Sequence, residues 1–221
     1  EYIFADKRNH ASIVDGCQLS QGEFIRYPHR DMAGLESRLQ KTDPEAGKLI
    51  VVDGVFSMDG DLAPLPGLVE LCERYDAILM VDDAHGVGVL GKTGRGTAEH
   101  FGLEKDVDII MGTYSKSMAS IGGFVAASED VIHYMKHTSR PLIFSASPPP
   151  ASVASVIAAL DVIEQEPDLR ERLWHNTNKM MKAFKEMGFD TGIAETPIIP
   201  LLMGEMNRAF MMWKILSDEG V

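Results

Sequence analysis

Short apolar blocks alternate along the chain with amphipathic stretches, and the two carry different periods. Glu1 to Asp6 reads as a strand and Gly22 to Pro28 as another. Leu49-Ile50-Val51-Val52, Ala77-Ile78-Leu79-Met80-Val81 and Val107-Asp108-Ile109-Ile110-Met111 are apolar runs of the kind found in strands covered on both faces. Gly123 to Ala127 is one more strand, open to running the other way. Between the strands the spacing turns helical. Ile13, Val14, Cys17 and Leu19 belong to one helix, with Asn9 as its expected N-cap and His10 in its first turn. Asp31 caps a helix carrying Met32, Leu35 and Leu39 on one face. Pro64 and Pro66 lead into the helix of Leu68, Val69, Leu71 and Cys72.

Downstream, Glu129 to Thr138 is helical, and Leu142-Ile143-Phe144-Ser145-Ala146-Ser147 is a short strand turning into three prolines. One of those prolines can open a helix at its first turn, where Val153, Ile157, Leu160 and Ile163 make a long apolar stripe. Pro167 starts another helix, with Leu169, Leu173, Met180 and Phe184. Ile198 to Met203 reads as the first strand of a second domain. The alternation of strand and helix predicts an α/β fold, a mostly parallel sheet flanked by helices on both sides. The large domain covers residues 1–163. Residues 164–221 form a linker helix and the beginning of a smaller C-terminal α+β domain. Both chain ends read as cuts through a longer protein, so the whole is expected to be a fragment.

Composition narrows the function classes. With 221 residues, 45% hydrophobic and 24% charged, the chain can bury a full-sized core. No apolar run approaches the roughly 20 residues of a spanning helix, so membrane association is not indicated. The net charge of -12, with scattered basic residues, argues against a nucleic-acid partner. Cys17 and Cys72 stand far apart in helical patterns, which predicts buried thiols in a reducing compartment. The 13 methionines read as core filling. His29, His100, His133, His137 and His175 sit among polar neighbours and read as surface residues.

Candidate chemistry collects in loops that follow strands. In a parallel sheet the carboxyl ends of the strands share one rim, where open α/β sheets place their ligands. That rim would gather Ser57, the Asp82-Asp83-Ala84-His85 turn and the Gly112-Thr113-Tyr114-Ser115-Lys116 loop. A lysine among hydroxyls and glycines suits an amine that forms a Schiff base beside a phosphate. Asp82 at a buried strand end needs a cationic partner, and a protonated pyridine nitrogen meets that need. His85 could then bond the ring's phenolic oxygen, and His10 could stack on its face. A divalent metal on the Asp-Asp-x-His turn is the alternative chemistry for these ligand types, although Asp83 reads better as a cap.

Four motifs occur together and in order: Asn9-His10-Ala11-Ser12, Asp53 through Asp61, Val81 through Gly86 with Gly94-Arg95-Gly96, and Gly112-Thr113-x-Ser115-Lys116. In this combination the chain resembles the α-oxoamine synthases, which include serine palmitoyltransferase, 8-amino-7-oxononanoate synthase, glycine C-acetyltransferase and 5-aminolevulinate synthase. The resemblance implies the pyridoxal-phosphate-dependent transferase fold of the aspartate aminotransferase type. It also implies a cytoplasmic homodimer with a shared active site, and pyridoxal 5'-phosphate joined to Lys116. By similarity Asp82 pairs with the pyridine nitrogen, His85 with the phenolic oxygen, and His10 stacks on the ring and helps position the amino acid. Ser57 lies beside the cofactor and Thr113 holds its phosphate, as does Ser145 from the partner subunit. The implied activity is a C-acyltransferase that condenses a small amino acid with an acyl-CoA, usually with loss of carbon dioxide, and Lys116 is the base. The stretches from Lys116 to Phe124 and from Lys136 to Ser147 resemble bacterial serine palmitoyltransferase-type sequences of sphingolipid synthesis. Leu169 to Trp174 and Ile198-Ile199-Pro200 resemble glycine C-acetyltransferase instead. An aminotransferase on the same fold, or a catalytically silent cofactor-binding module, stands further off.

Overall fold

The computed structural model describes residues 1–221. Six strands form one sheet: β1 (Tyr2–Asp6), β2 (Glu23–Tyr27), β3 (Lys48–Asp53), β4 (Ile78–Asp82), β5 (Ile109–Thr113) and β6 (Gly123–Ala127), in the order β2-β1-β3-β4-β5-β6. β1 to β5 run parallel, and only β6 is antiparallel to its neighbour. The helices are α1 (Ala11–Leu19), α2 (Met32–Leu39), α3 (Leu65–Tyr75), α4 (Thr97–Phe101), α5 (Glu129–Thr138), α6 (Arg140–Ile143), α7 (Pro150–Gln165), α8 (Asp168–Glu186) and α9 (Met206–Asp218).

Both sheet faces are covered, which explains the apolar runs. Phe4, Ile50, Val52, Leu79 and Val81 pack with Leu35 and Leu39 of α2 and Leu65, Leu68 and Leu71 of α3. Their strand neighbours Ala5 and Val51 face the other way, onto Ile13 and Cys17 of α1. A period of two along each strand thus delivers side chains to two cores. Because α1 and α3 pack on opposite faces, the chain leaves adjacent strands β1 and β3 in opposite directions. The crevice this opens at the carboxyl ends is where ligands bind in sheets of this kind.

Asp31 caps α2 as expected, accepting from the Gly34 N–H at 2.8 Å, and Cys17 and Cys72 are buried free thiols. Several expectations need correction. The N-cap of α1 is His10, whose ring nitrogen accepts from the Ser12 N–H; Asn9 is drawn instead into the sheet. Residues 142–147 form no strand. Arg140–Ile143 is a helical turn, because Pro141 has no ladder donor and its fixed φ suits a first helical turn. Residues 198–203 also form no strand. The Leu202 N–H goes to the Asp190 carbonyl and the Ile198 N–H to the Thr196 hydroxyl, so no neighbouring strand is paired.

The stripe on α7 is not a buried seam: Val153, Ile157 and Leu160 are each at least 40% exposed, and Val156 is the helix's buried residue. Nor are the methionines uniformly core. Met118 is buried, whereas Met58, Met206 and Met211 are largely exposed. His29 is no surface residue. Its ring bridges the Asp6 and Asp61 carboxylates at 3.0 and 2.9 Å, tying the end of β1 to the loop after β3.

Candidate active site

The rim is assembled by strand order. Asp53 ends β3, Asp82 ends β4, and the two are register partners. β5 lies on the other side of β4 and ends at Thr113, three residues before Lys116. β1 lies on the other side of β3 and ends four residues before His10. Residues from four separate stretches of sequence therefore meet at one edge.

Asp82 is buried at 6% exposure. Its Oδ1 accepts the Ala84 N–H at 3.1 Å, and no lysine, arginine or histidine side chain forms an ion pair with it. A carboxylate held out of water with a single backbone donor calls for a cation. His85, half-buried on the turn that follows, has its pKa lowered first by burial and then by the positive charge of Lys116, with Asp82 opposing and His10 adding to the fall. Lys116, Asp82 and His10 thus all lie within electrostatic reach of His85. Lys116 and His85 line one cavity of about 220 Å³, together with Val55, Ala84, Val89, Ser117, Thr196, Pro197 and Ile198. That space suits a single substituted ring. A larger cavity of about 840 Å³, lined by Tyr114, Met118, Phe124, Leu160 and Ile163, contains neither Lys116 nor His85.

Thr113 Oγ1 lies 2.9 Å from the Ser115 hydroxyl and accepts the Ser115 N–H at 3.3 Å. The pair places two hydroxyls within three residues of Lys116, groups suited to phosphate. Ser57 is half-buried in the loop after β3, and Ser145 is exposed beyond α6. Ser57 and Ser145 are both absent from the lining of the Lys116–His85 cavity.

Asp83 does not join Asp82. Its Oδ2 accepts the Thr97 N–H at 2.7 Å and its Oδ1 the Thr97 hydroxyl at 2.5 Å, both buried. Gly86 and Gly96 leave room for this carboxylate, and a Cβ at either would collide with it. Gly96 also has a φ of 104°, which side-chain-bearing residues rarely adopt. The Asp-Asp-x-His turn therefore sends one acid into the site and the other into a structural latch, so it does not present a metal-ligand set. Among titratable groups elsewhere, His29, Asp59 and Asp61 come close together, but Arg8 and Arg30 already pair with the two acids.

All 221 residues match the family described as aminotransferase class I and II. The chain belongs to that family. Within it, serine palmitoyltransferase of Bacteroides ovatus is 54% identical over 221 residues, covering all of this chain and 56% of the relative. 8-Amino-7-oxononanoate synthase of Symbiobacterium thermophilum is 46% identical over 220 residues, 99% of this chain and 56% of that protein. Both relatives are α-oxoamine synthases, as the motifs implied. The solved serine palmitoyltransferase from S. paucimobilis with a bound PLP-myriocin aldimine superposes with a TM-score of 0.95 at 38% identity, over 100% of this chain and 57% of that one. The chain thus spans little more than half the length of the aminotransferase-family proteins it matches.

Two supports of the site, Asp53 and Thr97, carry no role in the sequence reading, and Asn9, expected as a helix cap, is instead a tether to β3. Asp53 was detectable in principle, since it ends its strand as Asp82 does. Thr97 carried no signal, because only the fold brings it to Asp83.

Proposed function

We propose that the protein from which this chain comes is a pyridoxal-phosphate-dependent C-acyltransferase of the serine palmitoyltransferase type, joining a small amino acid to an acyl-CoA. The observation that carries the reading is the buried, uncompensated Asp82 carboxylate within electrostatic reach of His85, which shares a ring-sized cavity with Lys116. The 54% identity to a serine palmitoyltransferase supports the same substrate classes.

Pyridoxal phosphate, when bound, supplies an electron sink for charge developing at the amino acid's α-carbon. Lys116 Nζ would hold the group covalently and would serve as the base for the α-proton. Asp82 would hold a proton at the ring nitrogen and so keep the sink strong. His85, its pKa lowered by burial, would donate one N–H to the phenolic oxygen. His10 takes the ring's face. Thr113 bonds the phosphate, Ser57 borders the ring, and Ser145 reaches the phosphate of a partner subunit. In the same reading the protein is a cytoplasmic homodimer, with its large domain over residues 1–163 and its smaller domain beginning in 164–221. The apolar faces on α7 and on α9, where Phe210, Met211 and Trp213 are exposed, are compatible with such an assembly. No helix is long and apolar enough to cross a membrane.

The test is Lys116→Ala in the full-length protein. It should abolish both the visible absorption of the lysine-linked cofactor and the release of CoA thiol from amino acid plus acyl-CoA. A variant retaining wild-type turnover refutes the assignment. The 46% identity to an 8-amino-7-oxononanoate synthase favours a second reading, in which another amino acid and acyl chain are used. A panel of glycine, serine and alanine against short and long acyl-CoAs separates the two.

A further inference from the structure

Asp53 is a buried acid at the rim that the chemistry above leaves unused. It is 6% exposed and lies beside Asp82 across the β3–β4 ladder. Its Oδ2 accepts the His10 N–H at 2.7 Å. Its own N–H donates to the Asn9 Oδ1 at 3.2 Å, and the Asn9 Nδ2 donates to the Val51 carbonyl at 2.8 Å. Three hydrogen bonds therefore fasten residues 9 and 10 to the end of β3. The His10 ring has no comparable tether, for its polar contacts are to Ser12 on its own helix. Where the imidazole stands is consequently set by where its backbone is held.

We propose that Asp53 is the positioning residue of the site, holding the start of α1 against the end of β3 so that the His10 ring meets the cofactor at a fixed place beside Asp82. The inference rests on the cofactor reading above. A carboxylate is suited to the task because bonds from backbone N–H groups to charged acceptors are about twice as strong as neutral ones. Four charged or polar neighbours face it from four elements. Burial pushes the Asp53 pKa up to about 7, the His10 N–H lowers it, Asp82 and Asp6 raise it, and Lys116 lowers it. The acid thus sits where its charge is sensitive to what occupies the rim, and its hydrogen bond to α1 strengthens when a cation is present there.

The experiment uses the full-length protein loaded with pyridoxal phosphate. Wild type should show visible absorption of the bound cofactor and circular dichroism in the same band; absence of both would remove the cofactor reading itself, not the role of Asp53. Given that signal, Asp53→Ala should weaken cofactor binding about tenfold and reduce the visible circular dichroism roughly threefold, consistent with loss of one buried bond to a charged acceptor. Asp53→Asn, whose carbonyl oxygen can still accept from His10, should restore most of both. His10→Ala, which keeps the backbone N–H but removes the ring, should reproduce the loss, and the double variant should be no worse than either single one, since Asp53 acts by placing that ring. Fully additive losses, or a wild-type spectrum in Asp53→Ala, would overturn the proposal. If Asp53→Ala does not fold, Asp53→Glu replaces it: the longer arm displaces α1, and an unaltered visible spectrum in that variant counts equally against the idea.

Discussion

Thr97→Val isolates the latch behind the site. Valine keeps the shape of threonine and removes only the hydroxyl that donates to Asp83 Oδ1 at 2.5 Å, while the backbone bond to Oδ2 at 2.7 Å remains. Thr97 and Asp83 are 0% and 1% exposed, so water cannot replace the lost donor. Burial pushes the Asp83 pKa up from 3.8 to about 6, against the two Thr97 bonds that lower it. Above that pH the acid is ionised, and a hydrogen bond to it contributes about 1.5–3 kcal/mol; below it the bond is between neutral groups and contributes about 0.5–1.5 kcal/mol. For a chain of this size each kcal/mol moves Tm by about 2–4 °C. At about pH 8 the variant should therefore melt roughly 3–12 °C below wild type. The folded state binds the Asp83 proton more tightly than the unfolded state does, so between about pH 4 and 6 stability contributed by this group falls as pH rises. Losing the hydroxyl raises the folded pKa further and extends that fall upward. The gap between variant and wild type should accordingly widen from about pH 5 to about pH 8. Thermal unfolding followed by circular dichroism across that range measures it. A gap that is flat or narrows toward high pH would refute the latch.

Three other outcomes follow from the same structure. Gly96→Ala forces a Cβ into the Asp83 carboxylate at a φ of 104° and should cost about 2–3 kcal/mol or more; a melting temperature equal to wild type would contradict the close approach. Leu68→Ala, at a fully buried position of α3, should cost about 2–5 kcal/mol in urea unfolding, and a loss below about 0.5 kcal/mol would show that this core is not as packed as described. For Asp53, raised from 3.8 to about 7 by burial, the folded state again holds the proton more tightly, so wild-type stability should decline as pH rises from about 4 to about 7. Asp53→Asn should flatten that segment of the pH profile, and an unchanged slope would place the titration elsewhere.

Much of the site was legible because its chemistry-bearing residues lie next to strand ends, and strand ends are readable from apolar runs followed by glycine and acid. Lys116, Asp82 and His85 are legible in that way, and of the three Lys116 and His85 line one cavity. The two strands expected at 142–147 and 198–203 failed for a common reason. An apolar run is a strand only when a neighbour completes its hydrogen bonds, and neither run has one here. His29 was misread for a related cause: its sequence neighbours are polar, yet its partners Asp6 and Asp61 lie more than twenty residues away on either side.

The sequence alone determined the alternation of strands and helices, the two-sided sheet implied by apolar runs, and the identity of the lysine, acid and imidazole at the rim, since each depends on local spacing. Tertiary structure alone decided that Asp82 faces the site while Asp83 turns into Thr97, and that Asn9 and Asp53 clamp α1 to β3. Such pairings depend on which strands become neighbours and which way each helix leaves the sheet. Hydrogen bonds between distant residues carry no periodicity, so only the assembled fold reveals them.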